Sequence, residues 1–157
     1  MAIDLGKKAP AFTLKNEDND KVALADLRGQ WVVVYFYPRD DTPGCTTEAC
    51  EFTSTIRIFD KLGAKVLGVS PDDCETHKKF ALKHGLKVGL LSDPDKKVMT
   101  KYEAWGEKNM YGKKTVGVIR STVLIDPQGK IAHHWRRVKA KGHAEQVRRR
   151  LEELQAG

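Results

Sequence analysis

Apolar and polar positions along the chain change period several times, and each change marks an element. The segment "AFTLKNEDNDKVALADLRG", residues 11–29, holds short alternating runs around an Asn/Asp-rich turn, which predicts a β-hairpin. "WVVVYFY" follows as a continuous β-branched and aromatic run, the pattern of a central strand buried on both faces, and Pro38 stops it. From Thr46 the positions Ala49, Phe52, Ile56, Phe59 and Leu62 step by three or four, which predicts one amphipathic helix ending at Gly63. Next come "KVLGVS" as a strand, Glu75 to His84 as a helix, "VGLLS" as a strand, and a helix around Val98 and Tyr102. "STVLIDPQGKIAHHW" predicts a last hairpin turning at Asp126 to Gly129, and Val147 to Leu154 a closing helix.

Strands alternating with helices imply parallel crossovers, and the two hairpins add antiparallel pairs. The expected class is α/β, a mixed central sheet flanked by helices, compatible with a thioredoxin-like fold. The 157 residues suit one domain, with no repeat, linker or low-complexity tract to divide them. A composition 40% hydrophobic and 31% charged excludes the disordered and fibrous classes. No apolar run approaches a membrane span, and the opening "MAIDLGKKAPAF" lacks the apolar centre of a secretory signal. A cytoplasmic protein without membrane attachment is expected.

The net charge of +7 raises the question of nucleic acid, and the densest basic stretch is "HHWRRVKAKGHAEQVRRRLEEL". Val147, Leu151 and Leu154 recur there at helical spacing, so Arg148, Arg149 and Arg150 read as the solvated side of a helix. No nucleic-acid module accompanies the charge, and no nucleic-acid partner is expected.

The chain has three cysteines, and a reducing cytoplasm disfavours structural disulfides. Two of them stand in "YPRDDTPGCTTEAC", residues 37–50. Cys45 falls at the start of the predicted helix, where unpaired backbone N–H groups and the positive end of the dipole favour a thiolate. Ionisation alone accelerates a thiol only modestly, so substrate needs further help. The Thr42 hydroxyl, three residues upstream, suits hydrogen bonding to a polar substrate, and a guanidinium suits a departing oxygen anion. A zinc site from Cys45, Cys50, Cys74 and His77 is disfavoured, because side chains five apart on one helix diverge. A dithiol oxidoreductase wants Cys-x-x-Cys, which is absent.

Pro38, Thr42 and Cys45 in "PRDDTPGC" match the Pro-x-x-x-Thr-x-x-Cys signature of peroxiredoxins. With Cys50 five residues on, and with "WGEKNMYGKKTVGVIRSTVLID" further along, the chain closely resembles the bacterioferritin comigratory protein, or PrxQ, branch from about Phe12 to the last helix. That resemblance implies a thioredoxin-like fold; relatives of the branch include monomers and dimers, and a monomer without cofactor or metal is expected here. It makes Cys45 the peroxidatic and Cys50 the resolving cysteine, has Thr42 hydrogen-bond the peroxide and Pro38 shield the pocket, and names Arg120 of "GVIRST" as the active-site arginine. The implied partners are a peroxide substrate and thioredoxin or a similar dithiol. Cys74 stands outside the signature and is either inert or a second resolving cysteine, since some relatives carry that residue on the following helix. Five helical residues separate Cα atoms by about 8.6 Å, beyond the roughly 7 Å a disulfide tolerates, so a Cys45 to Cys50 bridge requires the helix to unwind.

Overall fold

The computed structural model describes residues 3–110 and 112–157; Met1, Ala2 and Tyr111 lie outside it. The predicted opening hairpin is β1 (Thr13–Asn16) against β2 (Lys21–Ala23), followed by a 3-10 turn at Leu24–Leu27. The apolar run forms β3 (Trp31–Phe36), and the chain continues through α1 (Pro43–Ser54), α2 (Ile56–Lys61), β4 (Ala64–Ser70), α3 (Cys74–His84), β5 (Gly89–Ser92) and α4 (Lys97–Lys101). Strands β6 (Trp105–Met110) and β7 (Lys113–Val118) make a separate antiparallel ribbon. Strands β8 (Ser121–Ile125) and β9 (Ile131–Trp135) and helix α5 (His143–Ala156) complete the described chain. Among the described residues no helix is long and apolar enough to cross a membrane.

The main sheet runs β2-β1-β5-β4-β3-β8-β9. Strands β3, β4 and β5 are parallel, while β8 joins β3 and β9 joins β8 antiparallel. This is the mixed α/β sheet of a thioredoxin-like fold, with β3 between β4 and β8. The alternation of Cβ directions explains why β3 had to be apolar throughout. Val32, Val34 and Phe36 point into one core with Leu67, Met99, Tyr102 and Val123, while Val33, Tyr35 and Tyr37 point into the other with Phe52, Phe59, Phe80 and Val147.

The helix expected from Thr46 to Gly63 ends as predicted, with Gly63 in the left-handed conformation just past α2, but differs at its start and in the middle. It starts earlier, with Thr42 in an extended conformation and Pro43 in the first turn, where a missing N–H does no harm. It also breaks at Thr55. The Ser54 hydroxyl donates to the Glu51 carbonyl, and that of Thr55 to the carbonyls of Glu51 and Phe52, capturing acceptors a continuing helix would use. The apolar period carries across the break because Phe52 and Phe59 meet in one aromatic cluster, their ring centres 5.9 Å apart. The β6–β7 ribbon went unpredicted, since "WGEKNMYGKKTVGV" carries few apolar residues to mark a period.

Tyr35 shows how tightly the second core is filled. Its ring stacks on Phe52 at 4.8 Å and on Tyr37 at 5.5 Å, and Gly68 faces it across the β3–β4 ladder. A methyl group at Gly68 would lie 2.6 Å from the Tyr35 ring, which has nowhere to move. Gly68→Ala is therefore expected to destabilise the fold by about 1–3 kcal/mol, read as a lower midpoint in urea denaturation with the slope unchanged. Unaltered stability would mean that the two rings pack more loosely than described.

Candidate active site

Helix α1 places Cys45 in its first turn, inside the Tyr35–Phe52 core and 1% exposed. The first α-helical bond here runs from Thr46 N–H to the Thr42 carbonyl at 2.8 Å, and no side chain caps the N–H groups before it. The Thr42 hydroxyl turns away and donates instead to the Arg39 carbonyl at 3.0 Å. Its lone pairs are left to accept from a substrate, while the helix start keeps unpaired donors around the sulfur.

Arg120 enters from the link between β7 and β8. Its Nη2 donates to Cys45 Sγ at 3.2 Å and its Nη1 to Glu48 Oε1 at 2.6 Å. Glycine at position 44 permits that approach, because a Cβ there would stand 3.1 Å from Nη2, closer than carbon and nitrogen normally come. Burial works against the Arg120 charge, but Glu48 and Cys45 outweigh it, so the guanidinium holds its proton more tightly than usual.

Glu48 escaped the sequence reading. It lies three residues after Cys45, the spacing that puts both on one helix face, and that spacing was the available signal. It is fully buried, and its Oε2 has no hydrogen-bond partner. Burial pushes its carboxyl from 4.5 up to about 7, while Arg120 pulls in the opposite direction. His143, at the start of α5, is pressed between Phe52 and Trp135 with its Nε2 2.7 Å from the Thr122 hydroxyl. Burial lowers it to about 4, so it is neutral at pH 7 and adds no charge beside Arg120.

A second buried network holds the loop before α1. Tyr37 donates to Asp40 Oδ1 at 2.6 Å, and His77 Nδ1 lies 2.6 Å from Asp40 Oδ2 while its Nε2 donates to the Leu91 carbonyl at 2.9 Å. Asp72 accepts from Asp40 N–H and from the Ser70 hydroxyl. Asp40, Asp72 and His77 form a metal-like cluster, but these hydrogen bonds already employ their ligand atoms. The same bonds turn His77 away from any Cys74–His77 clip. Pro38 is half-buried on this loop, directly after the strand. The structure thus brings Arg120 onto Cys45 and sets Thr42 at the head of the same helix. It leaves Cys50 half-buried further along the unbroken α1 and Cys74 half-buried at the start of α3.

A cysteine in the first turn of the helix after a central strand, facing an arginine from the link between two later strands, is an arrangement shared with known proteins. The family model described as AhpC/TSA family matches residues 5–134. Peroxiredoxin Bcp of Bacillus subtilis is 43% identical over 98% of this chain and 98% of its own. A putative peroxiredoxin of Mycobacterium tuberculosis is 51% identical over 93% of each chain. The structure of Xanthomonas campestris bacterioferritin comigratory protein, described for its alkyl peroxide reduction activity, superposes with a TM-score of 0.86 at 41% identity, covering 91% of both chains. A PrxQ mutant from Xylella fastidiosa gives 0.89 at 37% identity, covering 99% of this chain and 98% of the other. The chain belongs to the AhpC/TSA family, and within it to the peroxiredoxins of the bacterioferritin comigratory protein, or PrxQ, branch.

Glu48 generates a pH dependence of stability. An acid whose folded value is raised stabilises the fold fully below its unfolded value of 4.5, and this is lost as pH rises to about 7. His143 and His134, both lowered to about 4, act in the opposite sense over pH 4 to 6.5. They are common to the parent and a Glu48→Gln variant, so the difference between the two proteins isolates Glu48. Urea titrations should show the variant gaining on the parent by on the order of 3 kcal/mol between pH 4.5 and 7.5. A pH-independent difference would mean that Glu48 titrates normally.

Proposed function

We propose that this chain is a thiol peroxidase that reduces hydrogen peroxide and organic hydroperoxides, working as one thioredoxin-like domain and as a cytoplasmic monomer. The observation that carries the reading is the Arg120 donor 3.2 Å from a buried Cys45 sulfur at an uncapped helix start. The Cys45 thiolate attacks one peroxide oxygen; the O–O bond breaks, and water or an alcohol leaves after taking up a proton, while the sulfur becomes a sulfenic acid. Thr42 accepts a hydrogen bond from the incoming peroxide, and Arg120 together with the free N–H groups stabilises charge on the departing oxygen. Glu48 holds the guanidinium in register, and Pro38 shields the loop side. The alkyl peroxide reduction described for the Xanthomonas campestris relative supports this substrate class.

Cys50 then condenses with the sulfenic acid, releasing water and forming a disulfide, which thioredoxin or a similar dithiol reduces by exchange. Because α1 runs unbroken from Pro43 to Ser54, this step requires its first turns to unwind. Thr46 and Thr47 are poor helix formers suited to such a switch. Cys74, on another helix, is the alternative resolving partner.

Peroxide consumption coupled to reduced thioredoxin tests the reading. Cys45→Ser should abolish turnover, since a serine hydroxyl is un-ionised at neutral pH and forms no sulfenic acid; sustained activity would end the proposal. Hydrogen exchange and peptide mass mapping test the switch. Oxidised parent should carry a Cys45 to Cys50 bridge and exchange faster over residues 45–56 alone. A Cys45 to Cys74 bridge, or unchanged protection, would move the resolving role to Cys74.

A further inference from the structure

The positive charge of the C-terminal third is distributed in a way its sequence does not reveal. In α5, Arg148 pairs with Glu145 and Glu152, Arg149 with Glu145, and Arg150 with Glu153. Arg136 pairs with Glu103 at 2.6 Å. Of the basic stretch, Arg137, Lys139 and Lys141 remain, all exposed and with no carboxylate partner among the described residues.

These three stand on the loop that borders Cys45. Its alternate residues face inward: Val138 N–H donates to the Arg120 carbonyl at 2.9 Å, and the Ala140 methyl lies 4.0 Å from where a Gly44 side chain would begin. Gly142 N–H donates to Glu51 of α1 at 2.8 Å. With its inner edge pinned to the catalytic arginine and to α1, the loop presents its odd-numbered cations outward. Exposed Arg39, whose carbonyl holds the Thr42 hydroxyl, adds a charge beside the same helix start. Asp41 does not neutralise the group, because Lys83 and His84 already engage it.

We propose that the outer edge of this loop is the docking surface for the protein that re-reduces the enzyme, and that this partner carries a cluster of carboxylates beside its dithiol. The inference rests on the peroxidase reading above. A protein fits better than a small anionic peroxide, because the free charges point to solvent rather than into the buried thiol pocket, and exposed charges act usefully only when several are matched at once. It fits better than nucleic acid, because the positive surface ends where α5 begins and its arginines are internally paired. Long-range attraction from such a rim raises the encounter rate and weakens as salt screens it.

The test uses the triple variant R137E/K139E/K141E and the milder R137Q/K139Q/K141Q, with three readouts: the rate of Cys45 oxidation by hydrogen peroxide, turnover driven by dithiothreitol, and kcat/KM for an acidic reduced thioredoxin between about 20 and 300 mM salt. Parent kcat/KM for thioredoxin should fall about tenfold across that range. The Glu variant should lose at least tenfold at low salt and no longer slow as salt rises, and the Gln variant should lie between. Peroxide and dithiothreitol rates should stay within about twofold, since neither reagent has carboxylates to match the rim. Thioredoxin kinetics unchanged in both variants would overturn the inference. So would an equal loss in the peroxide step, which would give the rim to substrate. Absence of dithiothreitol-driven turnover in the parent would instead remove the peroxidase reading itself.

Discussion

A guanidinium clasped between a sulfur and a buried carboxyl fixes the relation of α1 to the strand that follows Arg120. Cys45 and Glu48 come from one helix face and Arg120 from the far side of β7, so the clasp exists only while helix and sheet keep their register. Its energetics are a near balance. Taking charges out of water costs several kcal/mol each, and close opposite charges recover most of it, but one partner left alone would be a buried unpaired charge worth about 3–5 kcal/mol of destabilisation. The absence of a side chain at Gly44 and the lack of a cap at Thr42 belong to the same constraint, for both leave room and donors around the sulfur.

Below the site the structure is over-determined, and above it the structure is lightly held. The loop ahead of α1 is tied through Asp40 to Tyr37, His77 and the β4–α3 turn, and the aromatic stack from Tyr37 through Tyr35 to Phe52 fills the core beneath. The first turn of α1 is held through Cys45 and its Arg120 contact, and around that point it has an uncapped start and threonines in place of strong helix formers. Such a gradient lets one face of the molecule change shape while the sheet does not.

How much of this was legible in the sequence depended on whether neighbours or distant residues decide an element. The β3 run could be read because burial on both faces leaves a continuous apolar signature, and the hairpins because their turns are local. The break at Thr55 could not, since the apolar period runs straight through it and only hydroxyl back-bonding ends the helix. Period also failed for the β6–β7 ribbon, which has no sheet to bury a face against. For the site, Thr42 and Cys45 stood out by spacing, but Arg120 looked like any surface arginine without the family resemblance, 75 residues from the sulfur it touches. Glu48 passed unnoticed because a single acidic residue on a helix gives no sign of being buried until the packing of Arg120 is known.

The interruption at Thr55 also sets how far and how fast α1 can open. Because α2 begins anew beyond it, with Phe59 fully buried in the core, fraying that starts at Pro43 meets a boundary after 12 residues. A helix that short has little cooperative reserve of its own, but with Cys45, Glu48, Ala49 and Phe52 buried its opening is a local unfolding event, on the order of μs to s, rather than a peptide helix–coil step. The speed of disulfide formation by the proposed unwinding would then depend both on the fraction of time the segment is open and on how fast it opens.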